Sequence, residues 1–163
     1  MKRLFAIALV LLPVMQVKAA PAVNVSLVPD VALYGRSTRI EGFILNVWGE
    51  NPQKAFALGL VNGSTGDSSG LSLAVIANYA EDYTGAHLGF VNWAKGSFTG
   101  LQWGAINYAQ SLHGLQLGFV NFARRVDSGI QIGFINFISE NKTWFNEFPD
   151  ALAPFFFIAN WRF

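Results

Sequence analysis

Apolar and small residues recur along this chain on a short, regular spacing, as six variants of one phrase. They are Ala-Leu-Gly-Leu-Val-Asn (57–62), Leu-Ala-Val-Ile-Ala-Asn (73–78), His-Leu-Gly-Phe-Val-Asn (87–92), Gln-Trp-Gly-Ala-Ile-Asn (102–107), Gln-Leu-Gly-Phe-Val-Asn (116–121) and Gln-Ile-Gly-Phe-Ile-Asn (131–136). The closing asparagines Asn62, Asn78, Asn92, Asn107, Asn121 and Asn136 lie 16, 14, 15, 14 and 15 residues apart. That period is too short for a helical hairpin and suits one strand with its turn. Eight segments rich in Leu, Val, Ile, Phe, Tyr and Trp are predicted as strands, at approximately 39–48, 55–62, 71–79, 86–94, 101–109, 115–123, 130–138 and 155–163. Turn formers such as Gly49-Glu50-Asn51-Pro52 and Ser64-Thr65-Gly66-Asp67 separate them. The stretch 24–35 alternates weakly around Pro29 and reads as an edge strand, a plug or a broken pair of strands.

Strict alternation places Leu101, Trp103, Ala105 and Asn107 on one face and Gln102, Gly104, Ile106 and Tyr108 on the other. Both faces are mostly apolar, and between Ala55 and Ile138 every Asp, Glu, Lys and Arg falls in a turn. A sheet wetted on one side shows polar residues there, and these segments do not. Two all-β architectures fit. In an antiparallel up-and-down barrel of about eight strands, lipid covers the outer face and the asparagines alternate between two rims. In a β-solenoid with coils of 14–16 residues, equivalent residues stack and the asparagines form one ladder. Strands near ten residues match a tilted crossing of a bilayer, and the longest connection, 139–154, then falls on the outside; both favour the barrel.

The final strand, Phe155-Phe156-Phe157-Ile158-Ala159-Asn160-Trp161-Arg162-Phe163, resembles the closing strand of bacterial outer-membrane proteins, where alternating apolar residues and a terminal Phe serve as assembly signal. The resemblance gives that role to Trp161 and Phe163 and implies a lipid bilayer and the outer-membrane assembly machinery as partners. The runs Gly114-Leu115-Gln116-Leu117-Gly118-Phe119-Val120-Asn121 and Gly129-Ile130-Gln131-Ile132-Gly133-Phe134-Ile135-Asn136 resemble bacterial surface-repeat proteins built from G-L-Q-[IL]-G-[FLV]-[IV]-N units of about 15 residues. This resemblance implies an exported envelope protein and supplies no activity.

Composition narrows the setting. A charged fraction of 13% and a net charge of +1 over 163 residues leave no electrostatic footprint for nucleic acid. Lys2 and Arg3, an apolar run from Leu4 to Val17, and Ala19 and Ala20 have the layout of a secretory leader cleaved after Ala19. The expected organisation is a signal peptide over 1–19 and a single repeat-built β domain over 20–163, exported to the bacterial outer membrane or cell surface. Without cysteine there is no disulfide and no thiolate ligand.

The candidate functional residues are few. Gly59, Gly89, Gly104, Gly118 and Gly133 recur inside strands, which signals close packing or a ligand groove. His87, Gln102, Gln116 and Gln131 share their face and suit an interior hydrogen-bonded row. Trp144, Phe145 and Phe148 sit among charges on the 139–154 connection and make it the candidate recognition loop. The two histidines lack metal-ligand spacing, and no cofactor motif is present. His87 with Ser72 or Gln102, His113 with Ser111, and Asp67, Glu81 or Asp82 as orienting carboxylate sketch a lipid hydrolase, but no nucleophile elbow accompanies them. A structural, adhesive or recognition role without catalysis is the primary expectation, with a cell-surface solenoid binding module as the alternative.

Overall fold

The computed structural model describes residues 19–163, so the leader expected over 1–19 falls, but for Ala19, outside the described residues. The described chain is all-β: β1 (Val23–Val28), β2 (Val31–Ala32), β3 (Ile40–Asn51), β4 (Gln53–Ile138) and β5 (Phe155–Arg162). They form one open mixed sheet in the order β2-β1-β3-β4-β5, and it is not closed into a barrel. The expected antiparallel barrel of eight strands is thereby corrected. β3 lies parallel to the start of β4, with Ile40 opposite Gln53 and Ile44 opposite Ala57, an offset of one repeat.

β4 extends unbroken through 86 residues. Stretched straight it would reach about 280 Å. Instead it winds, so that each repeat settles on the one before. A Cβ on Gly85 would strike the carbonyl oxygen of Gly70, one on Gly100 that of Gly85, and one on Gly114 that of Gly100. The period is therefore a whole coil running always in the same direction, and the asparagines form one row instead of two rims. The arrangement is consistent with the solenoid alternative. At Gly100 the need for glycine is double: φ is +126°, a conformation that side-chain-bearing residues rarely adopt, and the neighbouring coil fills the space a Cβ would need.

The repeated phrase marks a corner. Along strict alternation Gln102 and Asn107 belong to opposite faces, yet both are fully buried. The Gly-X-X-Asn segment shifts the alternation by one, which turns the asparagine back inward. At Gly104 the missing side chain leaves room for the amide of Asn92, 2.6 Å from where a Cβ would stand. Four side-chain rows then fill the core. Two are polar, the asparagines and the row Ser72, His87, Gln102, Gln116, Gln131. Two are apolar, Ala80, Ala94, Ala109, Ala123, Ile138 and Tyr83, Phe98, Leu112, Val126.

Both ends of the stack are closed by strands that reverse direction. β2 turns back on β1 beyond Pro29, which fits the broken pair of strands among the readings of 24–35. β5 runs antiparallel to the last coil, with Gln131 opposite Asn160 and a register shift between Gly133 and Asn136. That shift lets Asn160 point inward while Phe155 and Phe157 stay on the outside, against Phe137 and Phe134. The connection 139–154 folds over the same end, where Leu152 N–H donates to Trp161 C=O and Phe163 N–H to Asp150 C=O.

Removing one rung tests this assembly. Asn107 Nδ2 donates to Asn121 Oδ1 and to Leu117 C=O, both at 2.8 Å, and Asn107 Oδ1 accepts from Asn92 Nδ2 at 2.8 Å. Asn107→Leu removes three hydrogen bonds, two of them between buried amides, and leaves the Asn121 oxygen and one Asn92 N–H unpaired, at about 1–3 kcal/mol each. Urea unfolding should show a loss of about 3 kcal/mol or more. Arg124→Ala on the exposed side should stay within about 0.5 kcal/mol. Equal losses in the two variants would contradict the ladder.

Candidate functional site

Side-chain amides link every coil to the next. Asn46 Nδ2 donates to Asn62 Oδ1 at 3.1 Å, and the chain of donation continues through Asn78, Asn92, Asn107 and Asn121 to Asn136. Asn136 passes its own N–H groups to the carbonyls of Gly133 and Phe156, so β5 completes the row. The glutamines run the other way: Gln131 Nε2 donates to Gln116 Oε1 at 2.8 Å and Gln116 Nε2 to Gln102 Oε1 at 2.7 Å. Each glutamine also holds the backbone carbonyl of an aromatic residue six positions on, at Tyr108, Phe122 and Phe137.

Asn46 is a ladder residue that the repeat pattern did not flag. It stands where later coils carry glycine, and Gly49 stands where they carry asparagine; a Cβ on Gly49 would overlap the Asn46 amide. The swap Asn46-Val-Trp-Gly49 for Gly-X-X-Asn delivers an amide to the same place. Reading the phrase with its ends exchanged would have found it.

The structure places Gly59, Gly89, Gly104, Gly118 and Gly133 at the corner, where the space of a Cβ is taken by neighbouring backbone and asparagine amides. The row therefore offers no groove. His87 is buried between the rings of Tyr83, centroid 4.1 Å away, and Phe98, at 5.0 Å, and its Nδ1 has no hydrogen-bond partner. Burial pulls its pKa down to about 3 and pushes the Tyr83 hydroxyl up to about 12. Ser72 shares this row but gives its hydroxyl to Asn78 Oδ1 at 2.7 Å. Ser111, itself buried, donates to Asp127 Oδ2 at 2.7 Å and accepts from Arg125 at 3.2 Å, on the charged side.

Outside, the coil stack is sharply divided. From Phe43 to Trp48, and over the matching stretch of every later coil, no outward side chain is charged. Phe90 and Phe119 are each 62% exposed, Trp103 and Phe134 each 58%. Along one border a column of rings stacks coil on coil: Trp93 on Tyr108 at 3.9 Å, Tyr108 on Phe122 at 5.5 Å, then Phe137 and Phe155. The tyrosine hydroxyls along this border turn toward the charged side. Trp48 Nε1 donates to Tyr79 Oη at 3.0 Å, Tyr79 Oη donates to Glu50, and Tyr108 Oη meets Gln110 Oε1 at 3.3 Å. Partial burial, and next the Glu50 carboxylate, push the Tyr79 hydroxyl up to about 12.

The opposite side carries the charges, tied across coils by contacts such as Gly66 N–H to Glu81 and Ser97 N–H to Asp82, both 2.6 Å. A cleft of about 560 Å³ opens there between Arg125, Asp127, Glu140, Lys142, Glu147 and Arg162. Its charges are mostly satisfied by one another, with Arg125 paired to Asp127 and Arg162 to Glu147. Trp144, Phe145 and Phe148 all stand exposed on the connection; Phe145 meets Phe156 edge to face at 5.7 Å and Phe148 lies 6.3 Å from Trp161. Trp161 Nε1 donates to Pro149 C=O at 2.8 Å, and Phe163 is exposed at the chain end. Among the described residues no cluster of His, Cys, Asp or Glu is placed to hold a metal ion. No family model, curated protein or solved structure matches this chain.

The geometry of His87 has a measurable consequence. Its proton affinity is lower folded than unfolded, so between the ordinary value of 6.5 and about 3 the unfolded chain binds the extra proton and acid favours unfolding. Stability should fall through that window by up to about 1.4 kcal/mol per pH unit from this group. His87→Gln supplies an uncharged amide beside Gln102 and should remove that part of the slope in unfolding measured against pH. An unchanged slope in H87Q would refute the assignment.

Proposed function

We propose that this chain is an exported protein of the bacterial cell envelope, a β-solenoid with coils of 14–16 residues that serves as a binding scaffold and not as a catalyst. The observation that carries the reading is the outer face: apolar, free of charge and continuous from coil to coil. A monomer that spends its life in water seldom presents an apolar patch beyond a few hundred Å², and such a patch marks a place of attachment. The leader-like first residues and the resemblance to surface-repeat proteins support the setting. The aromatic connection with Trp144, Phe145 and Phe148, beside the charged cleft, is the part of the scaffold that does not repeat and is assigned recognition.

The buried position of His87 and the commitment of Ser72 to Asn78 speak for a structural row over the hydrolase alternative. Outer-membrane placement and assembly through Trp161 and Phe163 belong to the same proposal. Expression in a Gram-negative host, followed by fractionation and mass determination, tests it. The expected product sits in the envelope fraction and begins at Ala20. A cytoplasmic, unprocessed chain beginning at Met1 would overturn the envelope reading.

A further inference from the structure

We infer that the charge-free outer face of the coil stack lies flat on a lipid bilayer, its aromatic ridge among the acyl chains and its charged turns in water. The inference deepens the envelope reading and rests on it for which membrane is met. Four features of the face select lipid over a protein partner.

The first is extent. Ten strand positions from β2 to β5, about 4.8 Å apart, give a face about 43 Å long. Its apolar character does not stop at a border near either end: Leu33 and Val31 continue it on the hairpin, and Phe157 on the closing strand. An apolar face that runs out to both end strands has no polar rim at its ends, where the footprint of a partner smaller than the stack would leave one. The second is chemistry. From Phe43 to Trp48, and over the matching stretch of every later coil, the outward side chains are Leu, Val, Ile, Phe, Ala and Trp, without a hydroxyl, amide or charge. Specific protein interfaces carry about one hydrogen bond per 100–200 Å², and the interior of this face has no side chain to make one other than the Trp103 indole.

The third is the backbone. A surface facing hydrocarbon must satisfy its peptide groups internally, because acyl chains offer no partner. Between the two end strands the stacked coils do this: the parallel register of β1 on β3 and of β3 on β4 and the antiparallel closure by β5 pair the strands across the face. The fourth is the aromatic column. Tyr79 and Tyr108 keep their rings at the margin of the apolar face and send their hydroxyls to Glu50 and Gln110 on the charged side, while the Trp48 indole beside them donates to Tyr79. Amphipathic rings so oriented suit the headgroup level, with ring bodies toward the chains and tips toward water. Because the face has no charge, attachment comes from apolar burial and owes little to anionic headgroups.

The test is co-sedimentation of the purified full chain with vesicles of phosphatidylcholine and with vesicles of phosphatidylethanolamine and phosphatidylglycerol at three to one. Acyl-brominated phosphatidylcholine serves to quench tryptophan. The expected result is binding to both within threefold, at low and at high salt, with emission of Trp103 quenched by the brominated chains in a variant whose other tryptophans are phenylalanine. F119E/F134E changes two exposed rings and leaves the core untouched; circular dichroism checks that it folds, and its partition should fall at least tenfold. Since residues 1–18 are the same in both proteins, equal binding of F119E/F134E and the parent would assign attachment to another segment and overturn the inference. So would binding that requires phosphatidylglycerol. A stable dimer in sedimentation analysis that the double variant dissociates, with no vesicle binding by either, would give the face to a second copy. None of these outcomes bears on processing at Ala20 or on the envelope fraction, so the two readings fail separately.

Discussion

Side-chain amides set the spacing, direction and register of every coil. An asparagine at the corner can reach its equivalent only when neighbouring coils run the same way and sit one repeat apart, so the ladder is incompatible with reversal of alternate strands. The interior it builds is half polar, and its stability is asymmetric: a completed rung contributes modestly, while a missing one leaves buried groups without partners. The corner glycine belongs to the same device. Its absent Cβ is where the amides meet, as the 2.6 Å approach of Asn92 Nδ2 at Gly104 makes plain.

The two ladders oppose each other. Asparagines donate toward the C-terminal end and glutamines toward the N-terminal end. A chain of donation must begin at a residue whose own oxygen receives nothing, and the two starts are the buried Asn46 Oδ1 and Gln131 Oε1, near opposite ends of the stack. The glutamine row does not continue past Gln102 toward the N-terminus, where His87, Ser72, Ala57 and Ile44 follow in turn. A perfectly repeating row would let coils slip by a whole repeat at little cost. His87, clasped by Tyr83 and Phe98, belongs in one place only.

The asparagine row, the interior glutamines and the all-β class were legible from residue spacing, because each depends on one position recurring. Strand direction was not. Parallel coils and antiparallel hairpins share the same period, and the features that favoured the barrel, charge-free strands and a length near ten residues, describe the outer face of either. Alternation misassigned Asn107 relative to Gln102 because the corner shifts parity within a single phrase. Asn46 escaped notice because glycine and asparagine exchange places around it, and the inward turn of Asn160 depends on a register shift that only strand pairing displays. The aromatic column could be listed from sequence as the residues after the asparagines from Asn78 onward. That its polar tips bend away from the apolar face required the hydrogen bonds.

Parallel in-register strands, one set of asparagines and one of glutamines in continuous ladders, and stacked aromatic rings are also the internal chemistry of a cross-β fibril. In that setting identical chains add to the open ends without limit. Here the repeats are covalently joined, and both growing ends are finished by backbone of the opposite polarity, β2 on one side and β5 with its folded-over connection on the other. A copy arriving in the parallel sense finds a reversed strand where a template would have to be. The molecule is thus a fibril of fixed length, terminated by its own sequence, and its two non-repeating ends are what keep the repeating part a single protein.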